Sequence, residues 1–127
     1  MGVVKVSGEL KQGYTVVNTS REHRWISDEP IEVEGMDLGP KPTELLLSSL
    51  VSCKIITLQM YAARKGWNVD GVQVHLEIVG KEEKTIIEKR VEFASNLTEE
   101  QQKRLIEISG RCPVVKMLSN SIEFKLI

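Results

Sequence analysis

Residues 39–66, GPKPTELLLSSLVSCKIITLQMYAARKG, place the tightest limit on what this chain can fold into. Pro42 suits the first turn of a helix, where a missing N–H costs nothing, and Gly66 suits the position just past a helix end. Between Leu45 and Ala63 the only charged residue is Lys54. Leu45, Leu46, Leu47, Leu50, Val51, Ile55, Ile56, Leu58, Met60 and Tyr61 leave no wide polar face. The stretch therefore predicts one long helix buried on most sides. Cys53, one of two cysteines in the chain, lies near its middle.

A chain of 127 residues has room for a single domain, 1–127, with a core of ordinary size. With aromatics at 5%, that core must come from Leu, Ile and Val, and so apolar a helix in so small a chain calls for a second subunit to cover it. The formal charge of −1, with 28% charged residues, gives no basic excess directed at nucleic acid or an acidic membrane surface. The opening MGVVKVSGELKQGY carries Lys5, Glu9 and Lys11 and no apolar centre, so no signal peptide is expected. Val6 stands where myristoylation after Met1-Gly2 would need Ser or Thr. Lys54, Gln59 and several serines keep the long helix short of an unbroken apolar run of about 18 residues, which argues against a membrane span. The expected compartment is the cytoplasm, where Cys53 and Cys112 would be thiols or a transient catalytic pair rather than a structural bridge.

Residues 3–34 read as a β-meander. Val4 and Val6 alternate with Val3, Lys5 and Ser7, Gly13 marks a turn, Tyr14-Thr15-Val16-Val17 is β-rich, and a second turn is expected near Asn18-Thr19-Ser20. Trp25-Ile26 opens a third strand closed by Asp28-Glu29-Pro30, with Ile31-Glu32-Val33 following. GMDLGPK (35–41) is a loop into the long helix. Beyond Gly66 the period changes to two. Val72, Val74, Leu76 and Ile78 share one strand face, a polar turn spans 80–84, and Thr85 to Phe93 return as the second arm of a hairpin. Thr98 and Gln101 have the spacing of a capping box for a helix running to about Ser109, ended by Gly110. A short helix follows Pro113, and Ile122, Phe124 and Leu126 alternate as a last strand. The fold class is α+β, with antiparallel sheets packed on a long central helix.

Of the candidate chemistry, Cys112 has the more favourable local position. Pro113 steers it out of the α region and suits the first position of a new helix, so Cys112 takes the N-cap. The unpaired N–H groups, the helix dipole and neighbouring Arg111 are then expected to favour its thiolate. The plainer reading is a small residue filling a buried site. Cys53, in mid-helix, gains little from a helix end, and its plainer reading taken singly is a packing residue. The two cysteines are far apart in sequence and form no CxxC, so only the fold can bring them together. His23 and His75 lie in polar surroundings without ligand spacing, which makes a poor case for zinc. Phosphate-binding glycine loops and a nucleophile elbow are absent.

The run Asp37-Leu38-Gly39-Pro40-Lys41-Pro42-Thr43-Glu44-Leu45-Leu46-Leu47 followed by Cys53, together with Arg111-Cys112-Pro113-Val114, resembles the OsmC/Ohr-like superfamily. Met60 to Trp67 (MYAARKGW) is similar to its general OsmC-like branch, and the resemblance extends over nearly the whole chain in element order. It implies the OsmC-like fold, an intertwined homodimer and a thiol site at the interface. It also implies a two-cysteine reduction of organic hydroperoxides, in which Cys53 attacks the peroxide, Cys112 resolves the sulfenic acid as a disulfide, and an external dithiol such as a lipoyl group restores the thiols. No bound cofactor and no metal are implied.

Two departures stand out. Thr43 follows Pro42 where the peroxidase branches have glutamate, and the carboxylate comes one later, at Glu44. The N-terminal strand region has Lys11 where those branches use arginine, a point charge without the planar fork. Arg21 and Arg24 are the arginines of the next segment that stand as substitutes. At about 1.5 Å and 100° per residue, Glu44 falls roughly 13 Å along the axis from Cys53 and on the opposite helix face. It can assist that thiol only across a subunit interface; otherwise it complements the helix dipole. The alternative class of function is a non-enzymatic dimer that senses redox state or binds an apolar ligand. Sulfur transfer through the same cysteines is a third reading.

Overall fold

The computed structural model describes residues 2–80 and 82–127. Met1 of the myristoylation comparison and Lys81 of the expected polar turn lie outside the described residues. The chain divides into two compact units, residues 1–46 and 47–127.

The first unit is a three-stranded antiparallel meander in the order β1 (Ser7–Gln12), β2 (Thr15–Ser20), β3 (His23–Ser27). Leu10 pairs with Val16 across the first hairpin and Val17 with Ile26 across the second. The first strand begins at Ser7, later than the alternation of valines suggests, and Val3 and Val4 are exposed and outside any strand. The second turn falls at Arg21-Glu22, because Asn18-Thr19-Ser20 are still paired in β2; Arg21 takes the tight turn with φ 52°. Residues Ile31–Val33 form a 3-10 turn and not a strand, ended by Glu34 in the left-handed region.

The loop from Glu29 to Pro40 folds around one carboxylate. Asp28 is 2% exposed and accepts from the Thr15 hydroxyl at 2.7 Å, from the Glu29 N–H at 2.7 Å, and from the Met36 and Leu38 N–H groups at 3.4 Å each. Its own N–H donates to the Pro40 carbonyl. Gly39 is required where the loop passes β3, since a Cβ there would lie 2.2 Å from the Ile26 carbonyl oxygen. This packing delivers Pro42 to the start of the long helix.

That helix, α1 (Pro42–Lys65), has the expected ends: proline in the first turn and Gly66 just beyond, at φ +74°. Its burial differs from the expectation. Only Leu50, Lys54, Leu58 and Ala62 are buried, a stripe at intervals of four residues. Leu46, Ile56 and Met60 are exposed, so a single chain covers one face and leaves apolar side chains on the others. By length and composition α1 is the one helix among the described residues that suffices to cross a membrane, with 22% of its apolar window buried.

In the second unit β4 (Gln73–Gly80) and β5 (Ile86–Glu92) form an antiparallel hairpin, with Val74 opposite Val91 and Ile78 opposite Ile87. Val74, Leu76 and Ile78 are the inward set on β4, as their spacing predicts. Helix α2 (Glu99–Ser109) opens on the expected capping box: the Thr98 hydroxyl accepts from the Gln101 N–H, and the Gln101 side chain accepts from the Thr98 N–H. Leu58, Ala62, Val69 and Leu105 form the core, with Tyr61, Trp67, Val72, Phe93 and Leu97 packed against it. A short helix, α3 (Pro113–Ser119), completes the regular structure. The expected last strand does not form. Residues 120–127 find no partner strand among the described residues, and Phe124 is 92% exposed.

Candidate active site

The second unit brings its two cysteines together. Cys112 occupies the N-cap of α3 with extended backbone, as Pro113 dictates, and is 0% exposed. Cys53 projects from α1, partly buried, and its thiol lies near enough to that of Cys112 to raise the latter's pKa. Both are free thiols.

The expectation that the helix end would activate Cys112 is overturned. Burial pushes its thiol above the usual range, and the neighbouring Cys53 thiol adds to the rise. The Val115 N–H in the first turn of α3 and the charge of Lys54 pull the other way without prevailing, and no capping hydrogen bond closes on the sulfur. A helix start lowers a thiol's pKa only where water or a partner also tolerates the charge; at full burial desolvation dominates. This removes the ground for treating Cys112 as the attacking thiol.

Lys54 is the group that reading the sequence for chemistry missed. It lies in the buried stripe of α1, 7% exposed, next to Cys53 in the chain. Burial lowers its pKa first, and Lys89 on β5 adds repulsion; the charges of Cys112 and Cys53 act in the opposite sense. Among the described residues no carboxylate pairs with it. The available signal was a single charge in an otherwise apolar helix, immediately after the cysteine.

The other candidates have local partners. Glu44 accepts from the Lys41 N–H at 2.9 Å, which is the helix-start role of a first-turn carboxylate. Lys11 is exposed on β1 and pairs with Glu9 at 2.9 Å. Arg24 is exposed on β3 and, after Lys11, helps to hold the Glu9 carboxyl below its usual range. Arg21 is exposed in the turn before β3. These residues belong to the first unit, and the thiol pair with Lys54 to the second. No cluster of His, Cys, Asp and Glu suited to a metal ion occurs among the described residues.

A meander, a long helix bearing a thiol, a hairpin and a second thiol at a Cys-Pro helix start together define a class. Residues 35–127 match the family described as OsmC-like protein, and the chain belongs to that family. Among solved structures it resembles a protein assigned to the osmotic stress induced and detoxification response of Psychrobacter arcticus 273-4, at 20% identity and a TM-score of 0.79, with 92% of this chain and 89% of that one covered. An OsmC like protein from Mycoplasma pneumoniae matches at 20% identity and a TM-score of 0.76, covering 93% of this chain and 88% of that one. The organic hydroperoxide resistance protein OhrB of Bacillus subtilis matches at 17% identity and a TM-score of 0.64, covering 91% and 90%. At such identities the likeness shows the α+β fold. No curated protein matches the chain.

Proposed function

We propose that this protein reduces organic hydroperoxides by a two-cysteine cycle. The observation that carries the reading is that two free thiols, remote in sequence, become neighbours in the second unit, Cys53 partly buried and Cys112 fully so. In the cycle the Cys53 thiolate attacks the outer peroxide oxygen. An S–O bond forms, the O–O bond breaks, and the alkoxide takes a proton and leaves as an alcohol. The Cys112 sulfur then attacks the Cys53 sulfenic acid, the S–S bond forms, and the hydroxyl leaves as water. An external dithiol, for which a lipoyl group is a fitting candidate, exchanges with the disulfide and is itself oxidised. No bound cofactor takes part.

The site works in a homodimer of cytoplasmic chains. Supporting this are the apolar side chains that α1 leaves exposed and the uncovered Phe124 and Leu126. In such a dimer Glu44, Lys11, Arg21 and Arg24 are available to act across the interface. The apolar neighbours of Cys53 on α1 favour organic peroxides over hydrogen peroxide.

The test is peroxide turnover with a reduced lipoyl dithiol. Wild type should turn over, Cys53→Ser should fall to background, and Cys112→Ser should stop after one equivalent, at the sulfenic acid. Equal rates in wild type and Cys53→Ser would sink the reading.

One observation favours a second reading, a redox-sensing dimer without turnover. Burial pushes the Cys112 thiol up, which slows resolution at neutral pH. A stoichiometric disulfide that the dithiol does not reduce would select it.

A further inference from the structure

Met36 belongs to the loop that folds around Asp28, and its sulfur lies against the turn between β1 and β2. The Gln12 side-chain amide donates to that sulfur at 3.7 Å, the Thr15 hydroxyl oxygen lies 3.9 Å from it, and a Cβ on Gly13 would meet it at 3.9 Å. A thioether is a weak acceptor, and the Thr15 hydroxyl has one proton, which it gives to Asp28 Oδ2 at 2.7 Å. An amide and a hydroxyl thus converge on an atom that accepts poorly. The residue that carries this atom is 42% exposed. Its own N–H, at the same time, is one of the donors to Asp28.

We propose that Met36 is a modification site, oxidised by an organic hydroperoxide to a sulfoxide that loosens the fastening at Asp28. A sulfur lone pair attacks the outer peroxide oxygen, the S–O bond forms and the O–O bond breaks. The hydroperoxide's own proton passes to the departing alkoxide, which leaves as an alcohol; the sulfur loses two electrons and the peroxide gains them. Negative charge collects on the oxygen as it joins the sulfur, and the Gln12 amide is already aimed at that place. A sulfoxide oxygen is a far stronger acceptor than the thioether it replaces. It therefore takes the Gln12 amide and competes with Asp28 for the single Thr15 proton. The step needs a hydroperoxide and no cysteine, so it goes beyond the thiol cycle and lies wholly within the first unit.

Exposure alone ranks Met60 first, Met117 second and Met36 last, at 61%, 55% and 42%. The proposal reverses that order. The intact protein is treated with tert-butyl hydroperoxide, and the sulfoxide at each of the three residues is followed in time by peptide mass. Met36 should oxidise first, in wild type and in Cys53→Ser alike. In Gln12→Leu, a change at an exposed position, the Met36 rate should fall about fivefold, the effect of one ordinary hydrogen bond in the transition state, with Met60 and Met117 unchanged. Any place for Met36 but first, or an unchanged Met36 rate in Gln12→Leu, overturns the proposal.

The link to Asp28 has its own readout, the melting temperature before and after peroxide. Wild type should lose about 3 °C at neutral pH on oxidation, and Met36→Leu, which controls for the other sulfoxides, should lose none. A carboxylate deprived of the Thr15 proton titrates nearer its unfolded value of 3.8, so the oxidised protein should also show a shallower fall in acid. Equal losses in wild type and Met36→Leu overturn the coupling. Absence of peroxide turnover, with Met36 oxidised first, removes the hydroperoxide reductase reading and leaves the modification site standing. Turnover that depends on Cys53, with Met36 oxidised last, does the reverse.

Discussion

Among the described residues each unit of this chain buries one acidic or basic side chain, and the two are treated in opposite ways. In the first, Asp28 receives four hydrogen bonds and fastens a loop; its carboxyl is held below the usual range by the Thr15 hydroxyl, with the N–H groups of Glu29, Met36 and Leu38 assisting against desolvation. In the second, Lys54 has no carboxylate partner among the described residues, and burial drives its pKa down. A buried charge saturated by its surroundings is structural, because moving or neutralising it breaks several bonds at once. A buried cation without a counter-charge is instead a burden on the fold. The contrast makes Asp28 a fastening and Lys54 a cost that the native state carries.

The contrast is tested most severely at Asp28. Replacing it with alanine leaves the Thr15 hydroxyl and three N–H groups without their acceptor, so the fall in Tm should exceed that of Thr15→Val, Cys112→Ala or Lys54→Met. The sign against pH follows from the lowered carboxyl. Its contribution to stability is present above the unfolded value of 3.8 and is lost as pH falls through the folded value. Acid melts of wild type should therefore steepen below about pH 4, and Asp28→Asn should flatten that slope. An acid profile identical in the two proteins would break the comparison from its structural side.

Thr15→Val removes one hydrogen bond to the same carboxylate and keeps side-chain shape. A hydrogen bond to a charged group is worth about 1.5–3 kcal/mol, so the loss should sit below that of Asp28→Ala and be read by denaturant midpoint at constant slope. A loss as large as that of Asp28→Ala would mean that the three N–H contacts contribute little.

The legible parts of this fold are those decided within a few residues. Pro42, Gly66, the Thr98–Gln101 box and the N-cap geometry of Cys112 all follow from local backbone chemistry, and all appear as expected. What failed depended on partners. Ile122, Phe124 and Leu126 alternate like a strand, but a period of two identifies a face and does not supply the neighbouring strand. Ile31–Val33 carry β-branched residues yet turn, because the hydrogen bonds to Asp28 draw the loop around that carboxylate. The thiol of Cys112 was misjudged for the same reason: its backbone position is local, while its desolvation is set by what packs around it. Asp28 itself looked like a strand-ending turn residue, and its burial could not be read from spacing.

A third prediction exploits the same ordering at Cys112. Its pKa is raised above the model-compound value of 9.0, so the native protein holds this proton longer than the unfolded chain. That contribution is fully present below pH 9.0 and is lost as pH rises through the folded value. Cys112→Ala should flatten the alkaline fall in Tm, and at neutral pH it should cost on the order of 1 kcal/mol as a small cavity in the buried site. A neutral-pH loss with an unaltered alkaline slope would separate packing from titration at this residue.

The smallest stability effect is expected at Lys54, and its sign is the sharpest test of the contrast. The lowered pKa means that between the folded value and 10.5 the unfolded chain binds more protons than the native one. Stability therefore rises with pH across that window on account of this group, and below it the ammonium is a net burden. Lys54→Met replaces a desolvated cation with an apolar side chain of similar reach in the Leu50–Leu58 stripe. Stability at neutral pH should be unchanged or higher by about 1 kcal/mol, read by denaturant midpoint, and the alkaline rise should disappear. A clear loss of stability would instead place Lys54 with Asp28, as one more fastening of the fold.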